Sequence, residues 1–162
     1  MKLNIRVGQG FDVHPFVDNR RLVLGGVEIP YERGLGGHSD ADVLSHAICD
    51  ALLGAAGLND IGSHFPDHDP NYENADSSLF VSLSVGQLKR MGWAVGNVDC
   101  TIIAQEPKIA PYVPEMKKIL AKLMFIGEDE INIKATTTEW LGFTGRKEGI
   151  AAEAVALITR IR

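Results

Sequence analysis

Hydrophobic positions along the chain change period several times, and each change predicts an element. Residues 3–7 alternate apolar and polar and predict a strand that runs into Gly8-Gln9-Gly10-Phe11-Asp12-Val13-His14-Pro15. Two short apolar runs, Arg21–Leu24 and Val27–Pro30, flank Gly25-Gly26 and predict a hairpin. Gly34, Gly36 and Gly37 predict a flexible loop. Ser39-Asp40-Ala41-Asp42 has the Ser-x-x-acid pattern of a capped helix start. Val43, Leu44, Ala47, Ile48, Ala51, Leu52 and Ala55 then recur at helical spacing, and Gly57 supplies a stop.

Residues 59–72 hold Asn, Asp, Gly, two Pro and two His, and predict a loop. A second helix is predicted from Ala75 to about Met91, ending at Gly92. Val95 to Gln105 predicts a strand with Val98, Cys100, Ile102 and Ala104 on one face. Residues 106–111 predict a loop whose Pro111 opens a third helix. That helix carries Val113, Met116, Ile119, Leu120, Leu123 and Met124 and stops at Gly127. Ile131–Ala135 predicts a short strand, 136–149 a polar, Gly-rich stretch, and Ile150–Ile161 a long final strand. This order predicts an α+β fold, with a small mixed β-sheet and helices on one side, in a single domain over residues 1–162.

Composition narrows the function classes. At 162 residues and 45% hydrophobic, the chain is long enough to fold around its own core without disulfides or a structural metal. Its formal charge of −5 makes a general binder of nucleic acid or anionic membrane a poor fit. No apolar run is long enough to span a bilayer, and Met1–Val7 is too charged and too short in apolar content for a signal peptide. Cys49 and Cys100 sit inside apolar patterns and read as buried thiols of a reducing compartment, the cytoplasm.

Four places concentrate polar residues that a fold does not need. In Asp12-Val13-His14, positions i and i+2 of an extended segment point the same way, so an oxygen and a nitrogen stand side by side. With His46 from the first helix they make a fair set for Zn²⁺, leaving a position open. The plainer alternative is an Asp–His hydrogen bond and a core histidine, and spacing alone favours it. His38, Ser39, Asp40 and Asp42 stand at a helix N-terminus, where free N–H groups suit a phosphate. An ordinary cap explains Ser39 and Asp42 but leaves His38 unexplained. Lys134-Ala135-Thr136-Thr137-Thr138-Glu139, followed by Gly142-Phe143-Thr144-Gly145-Arg146, offers hydroxyls, a carboxylate and a guanidinium for phosphate oxygens and a hard cation such as Mg²⁺. The alternative is a strand end and an exposed Arg. Asp60-Ile61-Gly62 and Phe65-Pro66-Asp67-His68-Asp69 lie in the long loop, where binding residues often gather, though an ordinary surface loop fits too. Gly8-Gln9-Gly10 lacks the third glycine of a dinucleotide fingerprint, and there is no phosphate-loop, G-x-S-x-G or C-x-x-C motif, so nucleophilic Ser or Cys chemistry has no support.

Together these blocks resemble the 2-C-methyl-D-erythritol 2,4-cyclodiphosphate synthase family of the non-mevalonate isoprenoid pathway. The likeness runs through Gly8–Phe16, His38–Ala47, Asp60–Gly62, Phe65–Asp67, Pro107–Ile109 and Lys134–Gly149, in order and over essentially the whole chain. The resemblance implies a ferredoxin-like variant of the α+β class, assembling as a homotrimer with each active site between two subunits. It places the zinc ligands at Asp12, His14 and His46, and a second divalent ion, Mg²⁺ or Mn²⁺, at Glu139. Residues His38 and Thr137 fall on positions credited with stabilising the transition state, and His38 and Ser39 on a phosphate contact. The methylerythritol site falls on Asp60, Ile61 and Gly62, with the loop Phe65, Pro66, Asp67, His68 and Asp69 beside it. The cytidine pocket falls on Ala104, Gln105, Glu106, Pro107, Lys108, Ile109 and Ala110. Thr136, Thr137, Thr138 and Glu139 fall on the diphosphate site of a neighbouring subunit. Phe143, Arg146 and Glu153 fall on the trimer axis, where some members bind an isoprenoid diphosphate. His64 and His68 are outside the family's ligand pattern.

The chemistry implied is intramolecular phosphoryl transfer. The 2-phosphate of 4-diphosphocytidyl-2-C-methyl-D-erythritol 2-phosphate attacks its own β-phosphorus, CMP leaves, and an eight-membered cyclic diphosphate forms. The substrate carries the nucleophile, which matches a chain with metal and anion ligands but no nucleophile motif. A metal-dependent phosphohydrolase is the competing enzyme, and a non-catalytic trimeric ligand-binding module with structural zinc the competing non-enzyme.

Overall fold

The computed structural model describes residues 3–162; Met1 and Lys2, which open the segment read as unlike a leader, lie outside the described residues. Its strands are β1 (Ile5–Val17), β2 (Leu22–Leu24), β3 (Val27–Ile29), β4 (Gly34–Leu35), β5 (Trp93–Ile103), β6 (Ile131–Thr136) and β7 (Gly149–Arg160). Three main helices, α1 (Val43–Ala56), α3 (Ser77–Arg90) and α4 (Val113–Met124), two single turns, α2 (Ile61–His64) and α5 (Gly142–Gly145), and 3-10 turns at Pro70–Tyr72, Ala110–Tyr112 and Glu128–Glu130 complete the fold. A five-stranded sheet runs β4-β1-β7-β5-β6, and β2-β3 form a separate hairpin about Gly25-Gly26. β7 is antiparallel to both β1 and β5, while β5 and β6 are parallel, so the sheet is mixed as expected.

The last strand enters the middle of the sheet, and its sequence suits that place. Ile150, Ala152, Ala154, Ala156 and Ile158 are buried on one face while Glu153 and Val155 are exposed on the other. The small alanines let α1 lie close, and α1 answers with Ala47, Ala51 and Ala55. At Gly8 and Gly10 the approach is closer still. A Cβ at Gly8 would meet the Ala51 carbonyl and one at Gly10 the Ala47 carbonyl, so only glycine lets helix and strand touch there. These glycines hide the true length of β1, which runs ten residues beyond the alternating segment at 3–7 and begins at Ile5.

Several boundaries also move. Ser39 does not cap α1: Ala41 takes a positive φ of 56°, which delays the helix, and the Asp42 side chain accepts from Ser45 N instead. Gly34-Leu35 is not loose loop but pairs with Phe16 and Val17. α3 starts at Ser77 under an Asp76 cap, two residues later than predicted. α4 ends at Phe125 in the left-handed region, φ 57°, before Gly127 is reached. β5 begins at Trp93 and carries a bulge between Val95 and Asn97. Gly57 stops α1 with φ 75°, and both cysteines are buried and free, as expected.

The buried Asp42 carboxylate also accepts from Gly25 N at 2.9 Å and Gly26 N at 2.8 Å, tying the β2-β3 turn to the start of α1. The main helices pack on one face of the sheet. Its other face is uncovered and carries Val7, Phe11, Val13 and Val155, all exposed. No helix among the described residues is long and apolar enough to cross a membrane.

Candidate active site

Asp12 and His14 extend the Gly8, Gly10 row of β1 and face α1, where His46 precedes Ala47. The glycine contacts that seat α1 therefore also bring the three side chains together. Asp12 Oδ2 is 2.9 Å from His14 Nε2 and 3.1 Å from His46 Nδ1, and the two ring nitrogens are 3.2 Å apart. All three are mostly buried. Among the described residues this is the one group of three His, Cys, Asp or Glu side chains placed to hold a metal ion.

Hydrogen bonding on the far side of each ring decides what the near side offers. His14 Nδ1 is 2.8 Å from the Gly36 carbonyl, which can only accept, so Nδ1 carries the proton and Nε2 presents its lone pair. His46 Nε2 lies 2.9 Å from Ser77 Oγ and 3.1 Å from Ser39 Oγ. A carboxylate oxygen and two imidazole nitrogens thus point at one space, which calls for a proton or a cation. Ligands about a tetrahedral zinc ion, at about 2.0–2.1 Å from it, stand roughly 3.3 Å from one another, so the triangle fits that ion with little movement. Without a metal, burial would raise the Asp12 carboxyl, but the facing His14 and His46 rings outweigh it and hold it at about 2. Burial would lower His14, but its hydrogen bond to Asp12 raises it above 6.5.

A cavity of about 240 Å³ opens on this cluster. Gly37, His38 and Ser39 line it from one side, and Ile61, Gly62, Phe65 and Asp67 from another. Its floor is aromatic: Phe80 stacks on Phe65 at 4.9 Å and meets Tyr72 edge-on at 5.5 Å. His38 Nε2 is 2.9 Å from the Asp69 carbonyl, joining the glycine loop to the long loop. Asp60 caps α2 by accepting from Ser63 N, and Asp50 on α1 accepts from Ile61 N at 2.7 Å. Arg20 reaches the carbonyls of Gly37 and Ser39 and holds the His38 segment. Neither Pro66 nor His68 lines the cavity.

A second cavity, about 310 Å³, is lined by Ala104, Gln105, Pro107, Lys108, Ile109, Ala110, Thr136 and Thr137. It brings together two segments read separately in the sequence, because Ile103 pairs with Thr136 at the ends of parallel β5 and β6. Strand register relates the two cavities. Asp12 is opposite Ala152, Ala152 opposite Ile102, and Ile102 opposite Ala135. Asp12 and Ala135 therefore share one row three strands apart, about 14 Å. Glu139 is not part of the Asp12 cluster. It sits with φ 52° in an exposed turn where its N–H donates to Thr137 Oγ1. Thr138 is engaged in that turn, its hydroxyl at 2.6 Å from the Leu141 carbonyl. Glu106 approaches Lys147 at 3.5 Å. Exposed Phe143 and the Arg146–Glu148 ion pair lie beyond, and Glu153 stands on the uncovered face opposite Phe11.

Arg20, Tyr72, Ser77 and Phe80 are site residues that sequence reading missed. Only Arg20 had a visible signal, a charge at the mouth of a hairpin; the others read as ordinary loop and helix positions.

The YgbB family model matches residues 5–159. A curated relative from Thiobacillus denitrificans, named 2-C-methyl-D-erythritol 2,4-cyclodiphosphate synthase, is 62% identical over 96% of this chain and 98% of its own length. The Bacillus subtilis protein of the same name is 56% identical, over 96% and 98%. Among solved structures, the bifunctional IspDF from Campylobacter jejuni matches with a TM-score of 0.94 and 42% identity, over 99% of this chain and 43% of that one. A CDP complex of IspF from Plasmodium falciparum matches at 0.86 and 33%, over the full length of both.

Proposed function

The chain belongs to the YgbB family, and from that premise we propose how its residues carry out the reaction. It is an enzyme of isoprenoid biosynthesis that forms 2-C-methyl-D-erythritol 2,4-cyclodiphosphate. In that step the 2-phosphate oxygen bonds to the β-phosphorus of the diphosphocytidyl group, the bond from the β-phosphorus to the α-bridging oxygen breaks, and CMP departs.

The observation that carries the assignment of the site is the convergence of Asp12 Oδ2, His14 Nε2 and His46 Nδ1 on one space, 2.9, 3.1 and 3.2 Å from one another. We assign these three to Zn²⁺ and Glu139 to Mg²⁺ or Mn²⁺. When bound, the ions draw charge from the phosphate oxygens and orient them for in-line displacement. His38 and Ser39, at the mouth of the first cavity, meet the phosphates, Ser39 through its hydroxyl, and Thr137 does so from the second. The methylerythritol carbons rest against Ile61, Gly62 and Phe65, with Asp60, Pro66, Asp67, His68 and Asp69 in the surrounding loop. The cytosine lies in the cavity of Ala104, Gln105, Pro107, Lys108, Ile109 and Ala110, bordered by Glu106; support comes from the cytidine diphosphate held by the Plasmodium falciparum relative. Alignment of two groups of one molecule is worth up to roughly 7–11 kcal/mol, which removes the need for a protein nucleophile.

The active site we propose lies between subunits of a homotrimer. Its support is twofold: Asp12 in the first cavity and Ala135 in the second stand about 14 Å apart, three strand spacings along one row, and the uncovered sheet face carries exposed Val7, Phe11, Val13 and Val155. Thr136, Thr137, Thr138 and Glu139 of one subunit then face the Asp12 cluster of the next. Phe143, Arg146 and Glu153 are assigned to the trimer axis, as the place for an isoprenoid diphosphate. The two free buried thiols fit the cytoplasm.

Phosphorus NMR of the product made from the diphosphocytidyl substrate, with Zn²⁺ and Mg²⁺ present, tests the reaction. A cyclic diphosphate with stoichiometric CMP is expected. Release of inorganic phosphate and a linear product instead would assign a phosphohydrolase.

A further inference from the structure

Asp40 reads in the sequence as an acid favourable to a helix N-terminus, and Ser77 as a residue in the first turn of another helix. The structure uses both differently. The Asp40 backbone N–H donates to the Ala75 carbonyl at 3.0 Å, and Asp40 Oδ2 accepts from Ser77 N at 3.1 Å, so the lead into α1 is fastened to the start of α3. Asp40 Oδ1 accepts the Ser77 hydroxyl proton. Ser77 is fully buried, and the arrangement leaves it no freedom. An ionised carboxylate offers no proton, so the hydroxyl must donate to it. Ser77 Oγ then has only lone pairs to offer His46 Nε2 at 2.9 Å, and Nε2 must bring the hydrogen.

We propose that Asp40, acting through the Ser77 hydroxyl, is a positioning residue that holds His46 in the tautomer whose Nδ1 lone pair faces Asp12 and His14. Were the hydrogen on Nδ1 instead, it would point at Asp12 Oδ2, 3.1 Å away, and close the place a metal ion needs. His14 solves the same problem with the Gly36 backbone carbonyl. His46 has no backbone acceptor on that ring edge, so its tautomer depends on side chains from two other elements. The charge on Asp40 also polarises the Ser77 hydroxyl, which makes Ser77 a better acceptor and Nδ1 a better donor of its electron pair. Ser39 Oγ, 3.1 Å from Nε2, already accepts from Ala41 N and lies 3.4 Å from Ser77 Oγ, to which its own hydroxyl is the donor.

This inference rests on the assignment of Asp12, His14 and His46 as a metal site, and its test separates the two. Zinc affinity is measured by competition with a chromophoric chelator for the wild type, Ser77→Ala and Ser77→Thr. Zinc binding is expected to weaken roughly 10–100-fold in Ser77→Ala and to recover in Ser77→Thr, which keeps the hydroxyl. Wild type that takes up no zinc overturns the metal assignment, and this inference with it. Wild type that binds zinc no better than Ser77→Ala overturns this inference alone, as does Ser77→Thr binding no better than Ser77→Ala, which would mean packing rather than hydrogen bonding. Nitrogen-15 NMR of the metal-free wild type at pH 8 decides the matter without any variant. The hydrogen is expected on His46 Nε2, and a dominant Nδ1–H form would refute the proposal.

Discussion

Substituting Gly10 by alanine is the smallest change that tests how the fold makes the site. The added Cβ would fall on the Ala47 carbonyl oxygen and crowd Ala51 N at 2.8 Å, all of it helix backbone with no side-chain end to swing aside. Reaching an ordinary carbon–oxygen approach of about 3.3 Å means parting β1 from α1 by roughly 1–1.5 Å. Overpacking of this kind destabilises by about 1–3 kcal/mol, and in a chain of this size the midpoint of thermal unfolding falls by on the order of 2–12 °C. The larger effect is expected at the proposed metal site, because Asp12 and His14 ride on the strand and His46 on the helix. A separation of that size opens a triangle whose sides are now 2.9, 3.1 and 3.2 Å. Catalysis is expected to drop about 100-fold or more, the scale of a 1 Å misplacement. Gly54→Ala is the control on the same helix. Its Cβ would lie 3.9 Å from the Gln9 carbonyl, an ordinary contact, so the usual helical preference for alanine applies, and a gain of about 0.5–1 kcal/mol is expected. The assays are calorimetry at one fixed protein concentration, since any assembly would shift the midpoint, and zinc titration of both variants. A Gly10→Ala protein with wild-type midpoint and zinc affinity would refute the reasoning.

Further outcomes follow from the same geometry. His46→Ala is expected to fold but to lose zinc and turnover, as read by metal analysis and circular dichroism; retained zinc with full activity would remove His46 from the ligand set. Glu139→Ala is expected to keep zinc and lose its response to Mg²⁺ or Mn²⁺, and an unchanged magnesium titration would end that assignment. His14 is raised above 6.5 by Asp12 in the metal-free chain, so a proton occupies the pair near neutral pH and must leave when zinc enters. Apparent zinc affinity should therefore rise with pH through the neutral range and flatten above the raised His14 value, and proton release should be visible in weak buffer; affinity independent of pH would contradict it. The sign for folding is opposite at the two partners. Asp12, lowered to about 2, stabilises the metal-free fold above its ordinary 3.8 and loses that as acid approaches 2, whereas the His14 contribution is complete below 6.5 and fades as pH climbs past its raised value.

Local chemistry was legible where it was carried by period and spacing. The α1 face, the Gly25-Gly26 hairpin and the buried face of β5 could be read directly, as could Asp12 and His14 on one side of an extended segment. That His46 joins them could not be read from spacing, because it depends on Gly8 and Gly10 admitting the helix, a packing fact with no periodic trace. Those glycines also broke the alternation that would have announced β1 in full. Asp40 and Ser77 meet across 37 residues of chain, and each had an adequate local explanation that concealed its partner. The left-handed residues Ala41 and Phe125 moved two helix boundaries because neither carries the signature of a turn. The family likeness supplied what patterns lacked, namely the order in which the separate clusters belong together.

The three strand spacings that separate Asp12 from Ala135 in one chain have a genetic meaning if each cavity is answered by a neighbour. A copy crippled at His46 still offers a sound Thr137, and a copy crippled at Thr137 still offers a sound His46. Expressed together, two individually dead alleles should rescue each other in a fraction of their mixed assemblies, whereas two alleles both damaged in the Asp12 cluster should not.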